Sequence, residues 1–379
     1  MAGIYIHIPF CRQACHYCNF HFTVSLKHKA ALIGALAKEI TLSTVNRSTA
    51  KEKEIISTLY FGGGTPSILD KDDLQLIFSA LTESFTFSTD IEITLEANPD
   101  DISEEKLLLW KSFGINRLSV GIQSFFDEEL QWMNRAHTAA ESLLCIDQIK
   151  AAGLDNFSVD LIYGSPLLTN GNWKRNVDII LEKNIPHISC YALTVEPKTP
   201  LNIFIQQKKK EPVDAERQAA QFLLLMEWME KAGYEHYEIS NFARPGSRSK
   251  HNSSYWQGKK YYGFGPSAHS FDGNKIRRWN IANNSLYIQS ITKDIIPYEE
   301  ETLTDTQRMN EYIMTSLRTI EGIDQDFIQS TFGAVYSDKI KHATSRYIST
   351  NKLFVKNNSI ILTREGKLFA DGIAGDLFF

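Results

Sequence analysis

The first two thirds of the chain alternate between short hydrophobic runs and longer amphipathic stretches. Six runs of mainly β-branched and aromatic residues end in glycine, proline or a polar residue, which predicts buried strands. These runs cover residues 4–8, 55–61, 91–96, 117–121, 157–162 and 187–193. Between them, apolar residues recur every three or four positions, as in residues 26–42, and predict helices. Asp70, Asp214 and the capping box from Thr138 to Glu141 mark the starts of three further helices.

Six successive β–α units of this kind predict a parallel sheet with its helices on the outside. We therefore expect an α/β fold, namely a partial (β/α) barrel of six β/α units. Such barrels carry their chemistry at the carboxyl ends of the strands. Unusual residues do follow the predicted strands, since Cys11 comes after the first and residues 62–66 after the second. Glu96, Gln123 and Asp160 lie at the ends of the next three.

The alternating pattern stops near residue 240. The next stretch, residues 241–300, is rich in asparagine, serine, glycine and aromatic residues, and we expect it to connect two domains. Residues 301–379 then predict three helices followed by two short strands, which is typical of a small winged-helix-like α+β domain. The expected division is a barrel of residues 1–240, a connecting segment and this C-terminal domain.

Composition and charge narrow the class of protein. Of the 379 residues, 43% are hydrophobic and 22% are charged, which is ordinary for a soluble globular protein. The net charge of −5 argues against a nucleic-acid partner, and the predicted C-terminal domain is not basic either, with nine Lys/Arg against ten Asp/Glu. No apolar run approaches the ~20 residues that span a bilayer, so we expect a cytoplasmic protein without a transmembrane segment.

Three cysteines close to the N-terminus carry the strongest chemical signal. Cys11, Cys15 and Cys18 follow one another at intervals of three and then two intervening residues. Three thiolates spaced in this way can hold three irons of a [4Fe-4S] cluster and leave the fourth iron open to a ligand. A zinc site completed by His21 is the alternative, and the residues alone leave both open. The remaining two cysteines are expected to be small buried hydrophobic residues.

The cysteine motif does not stand alone. With an aromatic residue, Tyr17, before its last cysteine and the glycine-rich residues 62–66 further on, it resembles the signature of the radical S-adenosylmethionine (SAM) superfamily. Residues 5–11, 121–125 and 160–164 follow in the order typical of the HemN/HemW branch, which contains oxygen-independent coproporphyrinogen III oxidases and related heme chaperones. This resemblance implies a [4Fe-4S] cluster and SAM as cofactors. The SAM contacts that it implies are Tyr5, Tyr17, Gly63, Gly64, Thr65, Glu96, Gln123, Arg135, Asp160 and Ala192.

Other positions distinguish the two kinds of protein in this branch. The oxidases have a fourth cysteine two positions after the third, where this chain has Phe20. Two segments, residues 191–200 and the HNxxYW motif of residues 251–256, resemble the corresponding segments of the HemW chaperones. In that family the histidine of the HNxxYW motif is tied to heme binding. The resemblance therefore implies a protein that binds heme as its cargo.

The HNxxYW motif supplies the candidate heme-binding residues His251, Tyr255 and Trp256. A neutral imidazole is a good axial ligand of heme iron, and aromatic rings pack on a porphyrin face. The competing interpretation is a polar loop in which His251 only makes structural hydrogen bonds. His269 is a second candidate ligand.

We therefore expect a SAM- and [4Fe-4S]-dependent heme chaperone that hands heme to client proteins, with respiratory proteins among the candidates. No catalytic residue is expected beyond the cluster, and the chain is expected to cleave SAM reductively without coproporphyrinogen III dehydrogenase activity. Two alternatives remain at this stage. One is that dehydrogenase, which performs a radical oxidative decarboxylation, and the other is a zinc-stabilised binding protein.

Overall fold

The computed structural model describes residues 1–45 and 53–379, and one large mixed sheet forms its centre. Six parallel strands, β1 to β6, lie side by side in chain order. Each overlaps one of the predicted runs, so the predicted α/β fold with six parallel strands is confirmed. Their bounds are Ala2–Ile8, Ile55–Gly63, Thr86–Ala97, Arg117–Gln123, Phe157–Tyr163 and His187–Ala192.

The sheet does not close on itself. Beyond β6 it continues with antiparallel β8 and then β7, and beyond β1 it continues with β9, which is parallel to β1, and then β10 to β12. The barrel is thus a partial one, as expected. The stretch predicted to connect two domains supplies five of these six added strands. In chain order the six are Glu235–Glu238, Asn241–Ala243, Tyr261–Phe264, His269–Phe271, Ile276–Asn280 and Tyr298–Thr302.

Helices cover the outside of the parallel strands, and the predicted helix starts are confirmed. Asp70 and Thr138 each form a capping box, and Asp214 accepts two backbone N–H groups of the helix that follows. Within the described residues no helix combines the length and the apolar character needed to span a bilayer. Helices α1 to α10 are Lys29–Val45, Lys71–Ser84, Glu104–Ser112, Asp127–Trp132, Ala139–Ala151, Asn170–Glu182, Pro200–Gln206, Ala215–Lys231, Lys250–Trp256 and Asn284–Thr292.

Side chains alternate along β1, and this alternation separates the main core from the inner face of the sheet. Ile4, Ile6 and Ile8 are fully buried in the core that the strands share with the outer helices. Tyr5 and His7 point the other way, because successive side chains of a strand face opposite sides. The inner face therefore carries polar and aromatic side chains.

The last quarter of the chain builds a smaller core of its own around Met309, Ile313 and Ile340. Two backbone hydrogen bonds join it to the main sheet, from Ile239 N to Arg318 O (3.0 Å) and from Ile320 N to Tyr237 O (3.0 Å). The predicted three helices and hairpin are present, together with a further short strand and helix. Helices α11 to α14 are Asp305–Leu317, Gln325–Phe332, Ala334–Ser349 and Ala370–Asp376, and strands β13 to β15 are Ile323–Asp324, Leu353–Lys356 and Ser359–Leu362.

Candidate functional site

The three cysteines of the N-terminal motif lie in a loop at the carboxyl edge of the parallel strands. Hydrogen bonds between Cys11 N and Thr23 O (3.0 Å) and between Thr23 N and Pro9 O (2.9 Å) close this loop on the end of β1. Its far side is held by His16 N, which donates to Met133 O (3.0 Å). The fold thus presents all three partly exposed thiols at the edge where the strand ends meet.

Cys11 and Cys18 lie in a half-buried setting that disfavours the charged form of their thiols. Burial raises the pKa of Cys11 and raises the pKa of Cys18 to about 11, and the neighbouring sulfur of Cys15 adds to both rises. Arg135 Nη1 donates to the Sγ of Cys15 across 3.2 Å. Thiolates are the ligands that iron–sulfur clusters take, so this donor set fits such a cluster.

His21, the candidate fourth zinc ligand, is engaged elsewhere. Its Nε2 lies 2.7 Å from the Oδ1 of Asn284 in α10, and its ring lies beside that of His7. Across residues 1–45 and 53–379, no three or more His, Cys, Asp or Glu side chains are close enough to hold a single metal ion. The structure therefore does not bring His21 together with the cysteines.

The glycine-rich turn after β2 is pressed against the chain that leads into the cysteine loop. Gly64 N donates to Ile8 O (2.8 Å), and a Cβ on Gly64 would lie only 2.6 Å from Phe10 O. Gly63 has a φ of 110°, and a Cβ there would lie 2.6 Å from the ring of His7. Thr65 N donates to Phe10 O (2.7 Å). Only glycine lets these two backbone segments come so close.

Glu96 is a half-buried carboxylate near the end of β3. It accepts hydrogen bonds from Tyr60 OH (2.8 Å) and from Gly63 N (3.2 Å), and Tyr5 stacks on Tyr60 with ring centroids 6.0 Å apart. Burial raises the pKa of Glu96 to about 7, while the bond from Tyr60 opposes that rise and Asp160 adds to it. A ligand cation at this position would favour the carboxylate form.

Asp160 is a second half-buried carboxylate and lies two strands away, in β5. Ser119 Oγ lies 3.3 Å and 3.4 Å from its two oxygens, and burial raises its pKa to about 6. Gln123, which ends β4, adopts a left-handed conformation with a φ of 68°, and Ala192 ends β6. All of these residues lie at the same edge of the sheet as the cysteine loop.

Arg135 lies between α4 and α5 and reaches back to the strand ends. Its Nη2 donates to Asn98 Oδ1 and to Gly121 O, both at 2.7 Å. Its Nε is buried and has no hydrogen-bond partner among the described residues. Burial lowers the pKa of this guanidinium, but the neighbouring oxygen of Tyr17 and sulfur of Cys15 outweigh that effect and raise the pKa overall. Arg135 therefore places a permanent positive charge beside Cys15.

Three residues of this site were not identified from the sequence, namely Tyr60, Asn98 and Ser119. Each lies on the inner face or at the end of a strand and contacts a residue that was identified. Tyr60 lies two positions before Gly62 in β2, and Ser119 lies two positions before Gly121 in β4, so each faces the same side of the sheet as that glycine. This alternation is the signal by which the sequence could have identified Tyr60 and Ser119.

His251 lies in α9, beside the inner face of the sheet, and is 1% exposed. Its Nδ1 is 2.9 Å from Thr58 Oγ1, and its Nε2 is 2.9 Å from Tyr255 OH. Its ring also stacks on Tyr60, with centroids 5.0 Å apart. Burial lowers its pKa to about 3, so the ring is neutral. Both ring nitrogens are thus bonded within the protein.

The other two members of the HNxxYW motif face different surroundings. Tyr255 contacts Tyr261 edge to face, with centroids 4.7 Å apart, and remains partly exposed. Trp256 packs under the guanidinium of Arg318, which lies 5.8 Å from the ring, and so faces the smaller core. His269, the second candidate, is exposed at the start of β10. His251, Tyr255, Trp256 and His269 therefore do not all face one common site.

Comparison with known proteins shows the family to which the chain belongs. Residues 5–195 match the model of the radical SAM superfamily. The heme chaperone HemW of Bacillus subtilis (strain 168) is 31% identical over 99% of this chain and 98% of its own length. The heme chaperone HemW of Lactococcus lactis subsp. lactis (strain IL1403) is 30% identical over 96% and 93%.

Among solved structures, coproporphyrinogen III oxidase (HemN) from Escherichia coli, described as a radical SAM enzyme, matches with a TM-score of 0.84. The match covers 100% of this chain and 90% of that one at 23% identity, and it shows the shared fold. Together with the full-length similarity to the two HemW proteins, these findings show that the chain belongs to the radical SAM superfamily and, within it, to the HemN/HemW branch with the HemW heme chaperones.

Proposed function

We propose that this protein is a SAM- and [4Fe-4S]-dependent heme chaperone that binds heme and transfers it to client proteins. Full-length similarity to HemW chaperones carries this proposal. The cysteine loop and the two half-buried carboxylates at the strand ends support it, because they offer groups of the kinds that the two cofactors need. Within the chain, residues 1–240 would form the cofactor domain and residues 301–379 a docking domain, joined by residues 241–300.

Cys11, Cys15 and Cys18 would hold the cluster. When bound, a [4Fe-4S] cluster of this kind supplies an electron and one iron that is open to the amino and carboxylate groups of SAM. Arg135 donates a hydrogen bond to the sulfur of Cys15 and places a positive charge at this edge of the sheet. The glycine turn lets the end of β2 pack directly against the chain that leads into the cysteine loop.

The polar side chains around the loop would bind SAM. Glu96 would accept hydrogen bonds from the ligand amine, since it is a half-buried carboxylate whose pKa of about 7 a ligand cation would lower. Asp160 and Gln123 would contact the ribose hydroxyls, and the unpartnered Nε of Arg135 would face the ligand carboxylate. Backbone contacts would come from Gly63, Gly64, Thr65 and Ala192, with the rings of Tyr5 and Tyr17 packed beside the ligand.

The residues His251, Tyr255 and Trp256 of the HNxxYW motif would contribute to heme binding. His251 and Tyr255 form one hydrogen-bonded pair, and His251 connects through Tyr60 to Glu96 in the SAM shell. Direct coordination of iron by His251 requires that a ring nitrogen give up its bond to Thr58 or to Tyr255. His251 and Tyr255 thus support one side of the inner face, whereas Trp256 faces the smaller core.

The alternative function is the oxygen-independent coproporphyrinogen III dehydrogenase, which the fold match with HemN favours. Phe20 stands where those oxidases have a fourth cysteine. A zinc-stabilised binding protein is disfavoured, since the ring of His21 is bonded to Asn284.

One set of assays distinguishes these functions. The protein is purified and reconstituted anaerobically with iron and sulfide, titrated with hemin, and then mixed with apomyoglobin as a heme acceptor. A chaperone takes up heme and loads the acceptor, and it does not decarboxylate coproporphyrinogen III in the presence of SAM and a reductant. Turnover of coproporphyrinogen III, without stable heme uptake, would overturn the proposal in favour of the dehydrogenase.

A further inference from the structure

A row of aromatic side chains lines the inner face of the sheet beyond β1, outside the proposed SAM shell. Tyr255 contacts Tyr261 (4.7 Å between ring centroids), Tyr261 contacts Phe271 (6.4 Å), and His269 stacks on Trp279 (6.1 Å, planes within 26°). All five rings are at least partly exposed, whereas the large aromatic residues of the core are fully buried. We call these five residues, Tyr255, Tyr261, His269, Phe271 and Trp279, the aromatic platform.

The start of β10 places His269 at the edge of the platform next to the SAM shell. In the sheet register Gly263 of β9 is the partner of Tyr5. A Cβ on Gly263 would lie 2.0 Å from the carbonyl oxygen of His269, so the chain crosses directly over this glycine. His269 therefore lies beside the strand that carries Tyr5 and leads into the cysteine loop.

The backbone that carries His269 is fixed by a buried carboxylate. Glu39 of α1 accepts hydrogen bonds from Gly265 N (2.8 Å) and Asn280 Nδ2 (2.6 Å), and Asn280 N donates to Ala268 O (2.9 Å). The imidazole itself is exposed, and no described residue donates to it or accepts from it. The backbone is thus held in place, while both ring nitrogens of His269 are open to a ligand.

His251 and His269 differ in the property that metal coordination requires. A histidine ligates iron through an unprotonated ring nitrogen with a free lone pair. Both nitrogens of His251 are bonded inside the protein, but those of His269 are not. Partial desolvation and the cation of Arg277 lower the pKa of His269, which favours the neutral ring. The neighbouring flat rings offer a surface of the kind on which a porphyrin stacks.

We propose that His269 provides the axial nitrogen ligand of the heme iron and that the aromatic platform receives one face of the porphyrin. This inference rests on the proposed heme-chaperone function and assigns the ligand within it. His251 then acts as a positioning residue, because it holds the hydroxyl of Tyr255 and so orients one end of the platform.

The test uses the full chain with its cluster reconstituted anaerobically and hemin as the probe. Absorption and electron paramagnetic resonance spectra are recorded for the wild type and for His269→Ala, His269→Gly, His251→Gln and His342→Ala, the last changing an exposed histidine of α13. We expect His269→Ala to weaken hemin binding at least tenfold and to lose the histidine-ligated spectrum. Added imidazole should restore that spectrum in His269→Gly. His251→Gln should keep that spectrum while it weakens hemin binding, because it disturbs only the orientation of Tyr255. His342→Ala should change neither the spectrum nor the affinity.

The outcomes separate this inference from the function on which it rests. If His269→Ala keeps the wild-type spectrum and affinity, or if only His251→Gln loses the histidine-ligated spectrum, the ligand assignment is wrong while the chaperone function stands. If the wild type binds no hemin, the proposed function fails, and the ligand assignment fails with it. Unchanged thermal midpoints of the His269 variants check that they fold, as expected for changes at an exposed side chain.

Discussion

Arg135 donates a hydrogen bond from Nη1 to the Sγ of Cys15 across 3.2 Å, although 120 residues separate the two in the chain. The same guanidinium donates from Nη2 to the strand ends through Asn98 and Gly121. One side chain thus ties the cysteine loop to the part of the sheet that would bind SAM. Loss of its charge therefore affects both cofactors.

Replacing Arg135 by methionine should weaken SAM binding to the reconstituted protein about tenfold to hundredfold. Hydrogen bonds to a charged group contribute about 1.5–3 kcal/mol, and each 1.4 kcal/mol is a factor of ten in affinity. Calorimetric titration with SAM measures the change. The control is Arg175→Met, which alters an exposed arginine of α6. Equal affinities of the two variants would contradict the role of Arg135.

Cys15→Ala should prevent cluster assembly, whereas Cys145→Ala should not. Both replace a thiol by a methyl group, but Cys145 is buried in α5 and donates to Ser142 O of its own helix (3.2 Å). Iron and sulfide analysis after anaerobic reconstitution should give about four of each per chain for the wild type and Cys145→Ala, and less than one for Cys15→Ala. A full complement of iron in Cys15→Ala would remove this cysteine from the ligand set.

His251→Ala should destabilise the protein by about 2–4 kcal/mol, because it leaves a cavity and removes partners from Thr58 and Tyr255. His251→Gln should cost less, since an amide can keep one of these bonds. Thermal or denaturant unfolding measures both, with the exposed His342→Ala as the control. A wild-type midpoint for His251→Ala would contradict the buried, doubly bonded position of the ring.

Glu39 should make stability depend on pH. Burial raises its pKa to about 7 although Tyr287, Gly265 and Asn280 all donate to it. Because the folded-state pKa is raised, its contribution is fully present below the unfolded-state pKa near 4.5 and is lost as the pH rises through about 7.

Relative to Glu39→Gln, the wild type should therefore lose about 3 kcal/mol of unfolding free energy between pH 4.5 and pH 8. Glutamine does not titrate, so the difference between the two profiles isolates this one carboxyl group from the other acids. Urea unfolding at several pH values measures it. Parallel profiles would show that Glu39 has no raised pKa in the folded protein.

Local pattern was sufficient for the six parallel strands and for the capped helices. Their signals are short-range, since β-branched runs and side-chain caps such as Asp70 and Thr138 act within a few residues. The extension of the sheet was not predicted. Strands such as Asn241–Ala243 have three residues, too few for a recognisable alternation, and they form because a neighbouring strand offers its free edge.

The HNxxYW motif is a second example of structure that a local sequence pattern does not predict. Its sequence predicts a polar segment, yet it forms the helix α9, whose first N–H groups find acceptors far away in the chain. Ser249 caps the helix, and Glu92 of β3 accepts from the backbone N of Lys250 (3.1 Å) and of His251 (2.9 Å). A carboxylate that lies about 160 residues away cannot be inferred from a local pattern.

The sequence by itself determined the family of this protein and the cofactors that the family implies. The spacing of Cys11, Cys15 and Cys18 and the order of the strand-end residues are properties of the chain alone. Only the tertiary structure decided which side chains are available to a ligand. It buries His251 with both nitrogens bonded and leaves His269 open, although both are histidines in polar, aromatic stretches. Exposure and hydrogen bonding depend on partners from distant strands and helices, and those partners meet only when the chain has folded.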